Sequence, residues 1–491
     1  MTGQRLDQLL QGIADAPGAG DIVVSGLTLD SRQVRAGNAF FALQGTRGHG
    51  IDFAAGAVEK GAQVVLAEAP ARQAPTLGVP VVWIDNLHAQ VGEIASRFYG
   101  RPSEAMHVVG VTGTNGKTST VQLIAQGLHH LGHRVATIGT LGAGMHGHVE
   151  EGERTTPDAI HVHALMASFR EQGATHVAME VSSHALEQGR VGAVAFDTAV
   201  FTNLTRDHLD YHGSMEAYGD AKAKLFAWPT LTHAAINVDD AFGRELLGRV
   251  PSRVRTLRMS AVADLASDVR ASHIETSAEG LRFDLHTPWG SRPVQTHLIG
   301  RFNVDNMLAV IASLGALGEP FERILDAVHA LHPVDGRMSR LGGHHGQPLV
   351  VVDYAHTPDA LEQTLKAVRA HGEGRLICVF GCGGERDAGK RPLMGAIAER
   401  LADVAIITDD NPRGEDGDVI VANIVAGLSR PDDMLIERDR AKAIALALNM
   451  ARTGDVVLIA GKGHETYQEG AQGKRPFDDL AVARAALEVR A

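Results

Sequence analysis

Apolar positions along the chain follow two alternating rhythms. Short, nearly continuous runs occur at residues 108–112, 134–138, 176–181, 198–203 and 234–238. Between several of them, apolar residues recur at three- and four-residue spacing. The first rhythm predicts strands buried on both faces and the second predicts helices that cover them. Their alternation predicts a largely parallel sheet. The first 87 residues carry a smaller version, with runs at 23–24, 39–42, 64–66 and 81–83 ending near Asp85 and Asn86. A helical pattern then runs over residues 87–99 toward Pro102. Residues 250–300 alternate apolar with polar, which predicts an antiparallel patch. From 337 onward the first rhythm returns, with strands at 348–353, 376–380, 404–408 and 455–460 and helices beginning after Pro358, Lys390 and Arg438.

The expected fold is therefore α/β in three domains. A small N-terminal α/β domain spans 1–87, a central P-loop-type parallel-sheet domain 88–336, and a Rossmann-like doubly wound domain 337–491.

Composition narrows the class. A content of 44% hydrophobic and 21% charged residues is that of a globular protein, and 4% aromatics predicts aliphatic cores. A formal net charge of -12 argues against a nucleic-acid or anionic-membrane partner. The two cysteines, Cys378 and Cys382, have the spacing of neither a zinc pair nor a redox pair, so reduced thiols are expected. There is no basic start followed by an apolar leader, and no apolar run approaches the ~18 residues that span a bilayer. A cytoplasmic protein is expected, with a monomer as the default.

The sharpest chemical signal follows the run at 108–112. Gly113, Thr114, Asn115 and Gly116 form a Gly-rich turn, followed by Lys117, Thr118 and Ser119. A helical pattern then places Val121, Ile124, Leu128 and Leu131 on one face and stops at Gly132. Strand, glycine loop and helix N-terminus with a lysine make a phosphate cradle. Loop amides and the helix dipole face the anion, Lys117 adds charge, and the Thr118 hydroxyl can hold Mg2+. Val111 stands where the usual P-loop has its first glycine. The motif alone leaves kinase, GTPase, ATPase and ligase open.

In doubly wound sheets, ligands sit beyond the carboxyl ends of the strands. Glu180 ends one run and could bind Mg2+ beside a triphosphate, or be an ordinary surface glutamate. Asp207, His208, Asp210 and His212 follow another run, as a metal- or phosphate-orienting cluster or as a polar loop. Lys222 lies in a helical stretch and reads as a solvated lysine. Four polar strand ends in the last domain, around Asp353, Arg386, Asp410 and Gly461, suggest a ligand-binding rim.

Taken together, these segments resemble the Mur ligase family. The resemblance is carried by residues 113–118, Glu180 through His184, Thr202 through His208, Asn303 with Asn306, Asp353 through His356, and Gly461 through Glu465, and covers nearly the whole chain. The family's own phosphate loop has the form Gly-x-x-Gly-Lys-Thr, which residues 113–118 fit. Residues 28–32 and 410–413 resemble the branch that adds 2,6-diaminopimelate. The resemblance implies a step of peptidoglycan synthesis. ATP phosphorylates the glutamate carboxylate of UDP-MurNAc-L-Ala-D-Glu, and the amine of meso-diaminopimelate displaces phosphate from the acyl phosphate.

The resemblance also implies roles. ATP lies on residues 113–119, with further nucleotide contacts at Asn303, Arg337 and Asp353, and His356 near the same site. Mg2+ is held by Thr118 and Glu180, with His208 at a second metal and Lys222 as a carbamylated lysine that positions metal. Lys117, Lys222 and His208 form the catalytic set. Uridine contacts fall on Leu29, Ser31, Thr46, Arg47 and Gly48, and muramoyl-peptide contacts on Arg154, Thr155, Thr156, Ser182, Gln188 and Arg190. The acceptor amino acid falls to Arg386, Asp410, Asn411, Pro412, Arg413, Gly461 and Glu465.

The acceptor can be argued physically. Diaminopimelate differs from lysine by one distal carboxylate. A site that selects it needs a guanidinium, which can pair a carboxylate bidentately, and an acid for the distal ammonium. Arg413 is the candidate for the first. The rivals are a lysine-adding or other Mur-type ligase, a folylpolyglutamate synthase, and a non-catalytic nucleotide switch.

Overall fold

In this computed structural model the described residues are 3–45, 48–71, 76–152, 154–262, 266–277, 279–344 and 346–488. They fall into two compact units, Met1–Leu257 and Arg258–Ala491.

The first unit holds two sheets built largely from parallel strands. A four-stranded parallel sheet runs in chain order through Gly26–Thr28, Asn38–Ala42, Val64–Glu68 and Val81–Ile84. The helix Leu87–Phe98 follows and buries Leu87, Val91, Ile94 and Phe98. The second sheet has a parallel core ordered Val135–Gly139, His176–Glu180, His107–Thr112, Thr198–Phe201 and His233–Asn237. A hairpin of Gly142–Met145 and His148–Glu150 extends it antiparallel beside Val135–Gly139. These core strands are almost wholly buried, as their unbroken apolar runs require.

This strand order decides where the chemistry lies. His107–Thr112 sits between His176–Glu180 and Thr198–Phe201, in a register that pairs Val111 with Glu180 and Thr112 with Phe201. Three strand ends that are remote in sequence therefore stop level with one another, and the phosphate loop leaves from the middle one. The helix after that loop, Lys117–His130, buries Val121, Ile124 and Leu128, and Gly132 beyond it takes a positive φ of 91°. The helix Met215–Ala223 is capped by Ser214, whose side chain accepts the Ala217 N–H.

The second unit begins with the alternating segment. Val269–Ser277, Gly280–Thr287 and Gly290–Thr296 pair antiparallel, with a register shift between Ser272 and Glu275. Helices Phe302–Ala316 and Phe321–His329 follow. The last sheet is ordered Ser339–Gly342, Leu349–Asp353, Val456–Ala460, Leu376–Phe380, Val404–Ile407 and Leu435–Ile436, and only its first strand is antiparallel. Helices Pro358–Arg369, Lys390–Leu401 and Gly417–Val425 contribute to the apolar core on one face, and Arg440–Met450 and Asp479–Glu488 to that on the other. Two of these helices are tied by Arg440 and Asp479, both fully buried, with Nε and Nη2 donating to the two carboxylate oxygens over 2.7 Å each. A hairpin of Tyr467–Gly470 and Gly473–Pro476 stands beyond the end of Val456–Ala460.

Candidate functional site

Each unit carries a dense polar cluster at its strand ends. In the first unit, the loop after Thr112 is fixed by the strand end beside it. Thr114 N–H donates to the Asn203 carbonyl (2.8 Å), Asn115 N–H to the Asn203 side chain (2.9 Å), and the Thr202 hydroxyl to the Asn115 carbonyl (2.7 Å). Gly113 makes this approach possible. It has φ of 150°, and a Cβ there would stand 1.9 Å from Thr202 Oγ1. Gly116 takes φ of 85° and begins the helix. Lys117 Nζ folds back onto the carbonyls of Gly113 and Thr114, at 2.9 Å each, which places its charge over the loop. Thr118 is buried in the first helical turn, and Ser119 is half-buried.

Glu180 is 1% exposed. Its Oε1 accepts the Thr140 N–H (2.7 Å) and its Oε2 the Thr140 hydroxyl (3.3 Å). Lys222 is likewise 1% exposed, so it is not the solvated lysine that its helical position suggests. Its Nζ donates to the Gly113 carbonyl over 2.7 Å, and burial, reinforced by the charge of Lys117, pushes its ammonium well below the usual lysine range. His208 has a left-handed backbone, φ 53°, and opens the short helix Leu209–His212. Its ring lies 4.8 Å from that of His184 and 6.1 Å from that of Tyr218.

Five of the six residues expected at the muramoyl-peptide form one connected network. Thr155 and Thr140 hydroxyls lie 3.1 Å apart, the Thr156 hydroxyl donates to the Glu180 carbonyl (2.9 Å), and Ser182 N–H donates back to Thr156 Oγ1 (3.3 Å). Arg190 reaches the Thr156 carbonyl (3.1 Å) and, through Nε, Gln188 Oε1 (3.0 Å). Gln188 in turn donates to the Tyr211 hydroxyl (3.0 Å). Burial, with the charge of Arg154 adding to it, lowers the Arg190 pKa below its usual value. Arg154 itself is exposed. Leu29 and Ser31 are half-buried in the turn after Gly26–Thr28, and Gly48 is exposed. Thr46 and Arg47 lie outside the described residues.

In the second unit, Asn303 donates to the Ile299 carbonyl (2.7 Å) and accepts from Asn306 (2.7 Å). Asp353 is buried and accepts from Met338 N–H, Ala355 N–H and the Thr364 hydroxyl, at 2.9, 2.9 and 3.3 Å. Burial raises its pKa against the opposing pull of Arg337. The Arg337 guanidinium stacks 4.8 Å above the Tyr354 ring, and its buried Nε has no hydrogen-bond partner among the described residues.

The loop from Asp410 to Arg413 is pinned from several sides. Gln468 donates to the Asp410 carbonyl (2.8 Å), and Asn411 Oδ1 accepts from Lys462 Nζ and Glu469 N–H, each at 2.9 Å. Asn411 Nδ2 donates to Glu465 (2.8 Å), and Gly384 N–H to the Asn411 carbonyl (2.9 Å). Arg413 N–H donates to the Glu469 carbonyl (3.0 Å) and Arg413 Nη1 to the Gly384 carbonyl (2.8 Å). Arg413 keeps φ at 53° within this frame. The Pro412 carbonyl lies 2.0 Å from where a Cβ on Gly384 would stand, and Asp410 Oδ2 lies 2.6 Å from where one on Gly461 would stand. Arg386 is exposed on the neighbouring loop.

Two participants were missed in the sequence. Tyr218 is buried one turn before Lys222, with its ring face 4.3 Å from Lys222 Nζ and its hydroxyl 3.2 Å from Thr114 Oγ1. The i, i+4 spacing to Lys222 on one helix was the available signal. Lys462 is fully buried and donates to Glu465 over 2.8 Å as well as to Asn411. Only its apolar-to-polar position between two glycines hinted at this. The two cysteines are buried, free thiols, each pushed by burial up to about 12.

Among the described residues no group of three or more His, Cys, Asp or Glu side chains is arranged to hold a metal ion by itself. Mg2+ takes most of its oxygens from phosphate and water and needs only one or two from protein. The Thr118 hydroxyl and the Glu180 carboxylate are hard donors of that kind. No helix among the described residues is long and apolar enough to cross a membrane.

Known proteins share this frame. The chain matches the Mur ligase family catalytic domain over residues 23–99, the Mur ligase middle domain over 111–314, and the Mur ligase glutamate ligase domain over 336–463. It is 55% identical to a UDP-N-acetylmuramoyl-L-alanyl-D-glutamate–2,6-diaminopimelate ligase of Xanthomonas campestris pv. campestris, over 98% of this chain and 97% of that one. It is 50% identical to the ligase of the same name from Pseudomonas aeruginosa, over 95% and 96%. A solved structure of a ligase of that name aligns over 100% of this chain and 99% of its own, with a TM-score of 0.77 at 36% identity. With the phosphate loop, the buried Glu180 and Lys222 and the pinned Asp410–Arg413 loop in place, and three domain matches in family order, this chain belongs to the Mur ligase family.

Proposed function

We propose that this protein is the ATP-dependent ligase that joins meso-2,6-diaminopimelate to UDP-MurNAc-L-Ala-D-Glu in peptidoglycan synthesis, releasing ADP and phosphate. The observation that carries this proposal is the pinned loop presenting Arg413, set in a chain whose close relatives bear the name of that ligase.

The D-glutamate carboxylate attacks the γ-phosphorus of ATP, and ADP leaves. The acceptor amine then attacks the acyl-phosphate carbon, loses a proton, and phosphate departs with the carbon–oxygen bond. Both steps bring anions together, so the protein's part is to place cations and fixed donors around the transferred group. Gly113, Thr114, Asn115, Gly116, Thr118 and Ser119 cradle the phosphates, and Lys117 follows the γ-phosphoryl group. Thr118 and Glu180 would hold Mg2+, which would supply charge neutralisation at the transferred group.

Lys222 is assigned as the carbamylated lysine, with His208 at a second metal. The chemistry suits it, because burial favours the neutral amine, and that is the form that adds to carbon dioxide. Asn303, Arg337 and Asp353 are assigned to the nucleotide. Arg154, Thr155, Thr156, Ser182, Gln188 and Arg190 are assigned to the muramoyl-peptide, and Leu29, Ser31, Thr46, Arg47 and Gly48 to uridine. In the acceptor site Arg413 takes the distal carboxylate and Glu465 the distal ammonium, with Arg386, Asp410, Asn411, Pro412 and Gly461 shaping the rest. The domains are assigned as 1–87, 88–336 and 337–491, and the protein as a cytoplasmic monomer with no nucleic-acid or membrane partner.

Phosphate release from ATP, measured against a panel of acceptors, tests the assignment. It should require both UDP-MurNAc-L-Ala-D-Glu and diaminopimelate, and lysine should substitute poorly. Release that ignores the muramoyl-peptide would sink it.

A further inference from the structure

Arg413 does not stand with an open guanidinium. Its Nε lies 3.2 Å from Glu469 Oε2, and its Nη1 donates to the Gly384 carbonyl. A guanidinium has two edges that can pair a carboxylate bidentately, and one carboxylate oxygen of Glu469 lies against the edge that includes Nε, as an ion pair at a single point. The backbone that carries Glu469 is fixed. Its carbonyl accepts the Arg413 N–H, its own N–H donates to Asn411 Oδ1, and its hairpin register pairs it with Lys474. The pair is reachable from solvent, with side-chain exposures of 20% for Arg413 and 31% for Glu469, so it can exchange partners.

We propose that Glu469 is a built-in competitor for Arg413 in the acceptor site, one that weakens binding of the distal carboxylate and screens Arg413 from single anions. This rests on the assignment of Arg413 to the acceptor's distal carboxylate. A free guanidinium in an amino-acid pocket would collect any small carboxylate or phosphate. Glu469 holds that edge until an acceptor arrives whose distal carboxylate displaces it. Lysine has no group to displace Glu469, so the internal pair stays closed over it. Glu469 thus weakens diaminopimelate binding modestly and denies Arg413 to single anions. It acts through Arg413 and has no part in phosphoryl transfer.

The test is a cycle of Glu469→Gln, Arg413→Ala and the double variant in the full-length protein, with steady-state kinetics for diaminopimelate, lysine and ATP. Glu469→Ala serves as a second substitution should the glutamine find a new partner. Neutralising Glu469 is expected to lower the KM for diaminopimelate roughly two- to fivefold, the range of an exposed ion pair, without a matching change in kcat, in the KM for ATP or in the KM for lysine. The gain should vanish in the Arg413→Ala background. If Arg413→Ala raises the KM for diaminopimelate while Glu469→Gln and Glu469→Ala leave it unchanged or raise it, the competitor role is overturned and the assignment of Arg413 stands. If Arg413→Ala leaves the KM for diaminopimelate untouched, the assignment of Arg413 itself fails, and the competitor role with it.

Discussion

Nζ of Lys222 donates to the carbonyl of Gly113 across 109 residues of sequence, over 2.7 Å. The same carbonyl also accepts from Lys117. Two lysines therefore converge on the first residue of the phosphate loop, and one of them is buried where a charge is costly. Lys222→Arg, which fixes a positive charge there, is expected to lower kcat by roughly 10²-fold or more. Activity of the unaltered enzyme should fall in bicarbonate-depleted buffer, and 13C-bicarbonate should give a carbamate carbon signal that Lys222→Arg abolishes. Full activity in depleted buffer would remove the carbamate from the account.

Gly113→Ala should be among the most damaging single-methyl changes in the first unit. The added carbon would stand 1.9 Å from Thr202 Oγ1 at a φ of 150°. Strain of about 1–3 kcal/mol is expected from the backbone alone, with displacement of the loop added to it. Thermal unfolding and the KM for ATP check this, and a variant with unaltered KM for ATP would argue against it.

The pair Arg440–Asp479 tests the second unit's stability apart from its chemistry. Both side chains are fully buried. Removing one partner by Asp479→Ala leaves an uncompensated guanidinium, and a loss of about 3–5 kcal/mol is expected in urea unfolding. The phosphate-release rate of the protein that remains folded should be little changed.

Acid should weaken the first unit through His176. Its ring lies 4.4 Å from that of His133 and 5.1 Å from that of His107, which is itself 3.5 Å from Asp197. Burial, then the charges of His133 and His107, lowers its pKa from 6.5 to about 4. The unfolded chain therefore binds a proton between these values that the folded chain does not. The stabilisation is complete above pH 6.5 and is lost as the pH falls toward 4. The effect should be roughly 1–3 kcal/mol, and His176→Gln should flatten the dependence of the urea midpoint between neutral pH and pH 5. Equal slopes for both proteins would count against it.

Strands and helices with clear periodicity were legible in the sequence to within a residue or two, as at His107–Thr112, Leu376–Phe380 and Leu87–Phe98. The helix Gly417–Val425 was not, because Val419, Ile420, Val421, Ile424 and Val425 give it the β-branched composition of a strand. Leu435–Ile436 is too short to carry any period. In the site, the phosphate loop announced itself because strand, turn and helix are contiguous. The burial of Glu180 and Lys222 did not, since strand order sets it, and local pattern does not encode strand order. The contact of Arg413 with Glu469 was equally invisible, being made between a loop and a distant hairpin.

The left-handed backbone of Arg413 has a practical meaning for protein engineering. The residue is held by the backbone of Gly384 and by both main-chain and side-chain groups of Glu469. Its direction is thus a property of two other chain segments. Transplanting the arginine alone into a relative with another acceptor preference should transfer little of this selectivity. A useful chimera would need to move the hairpin Tyr467–Pro476 and the Gly383–Gly384 turn along with it, as one exchangeable cassette.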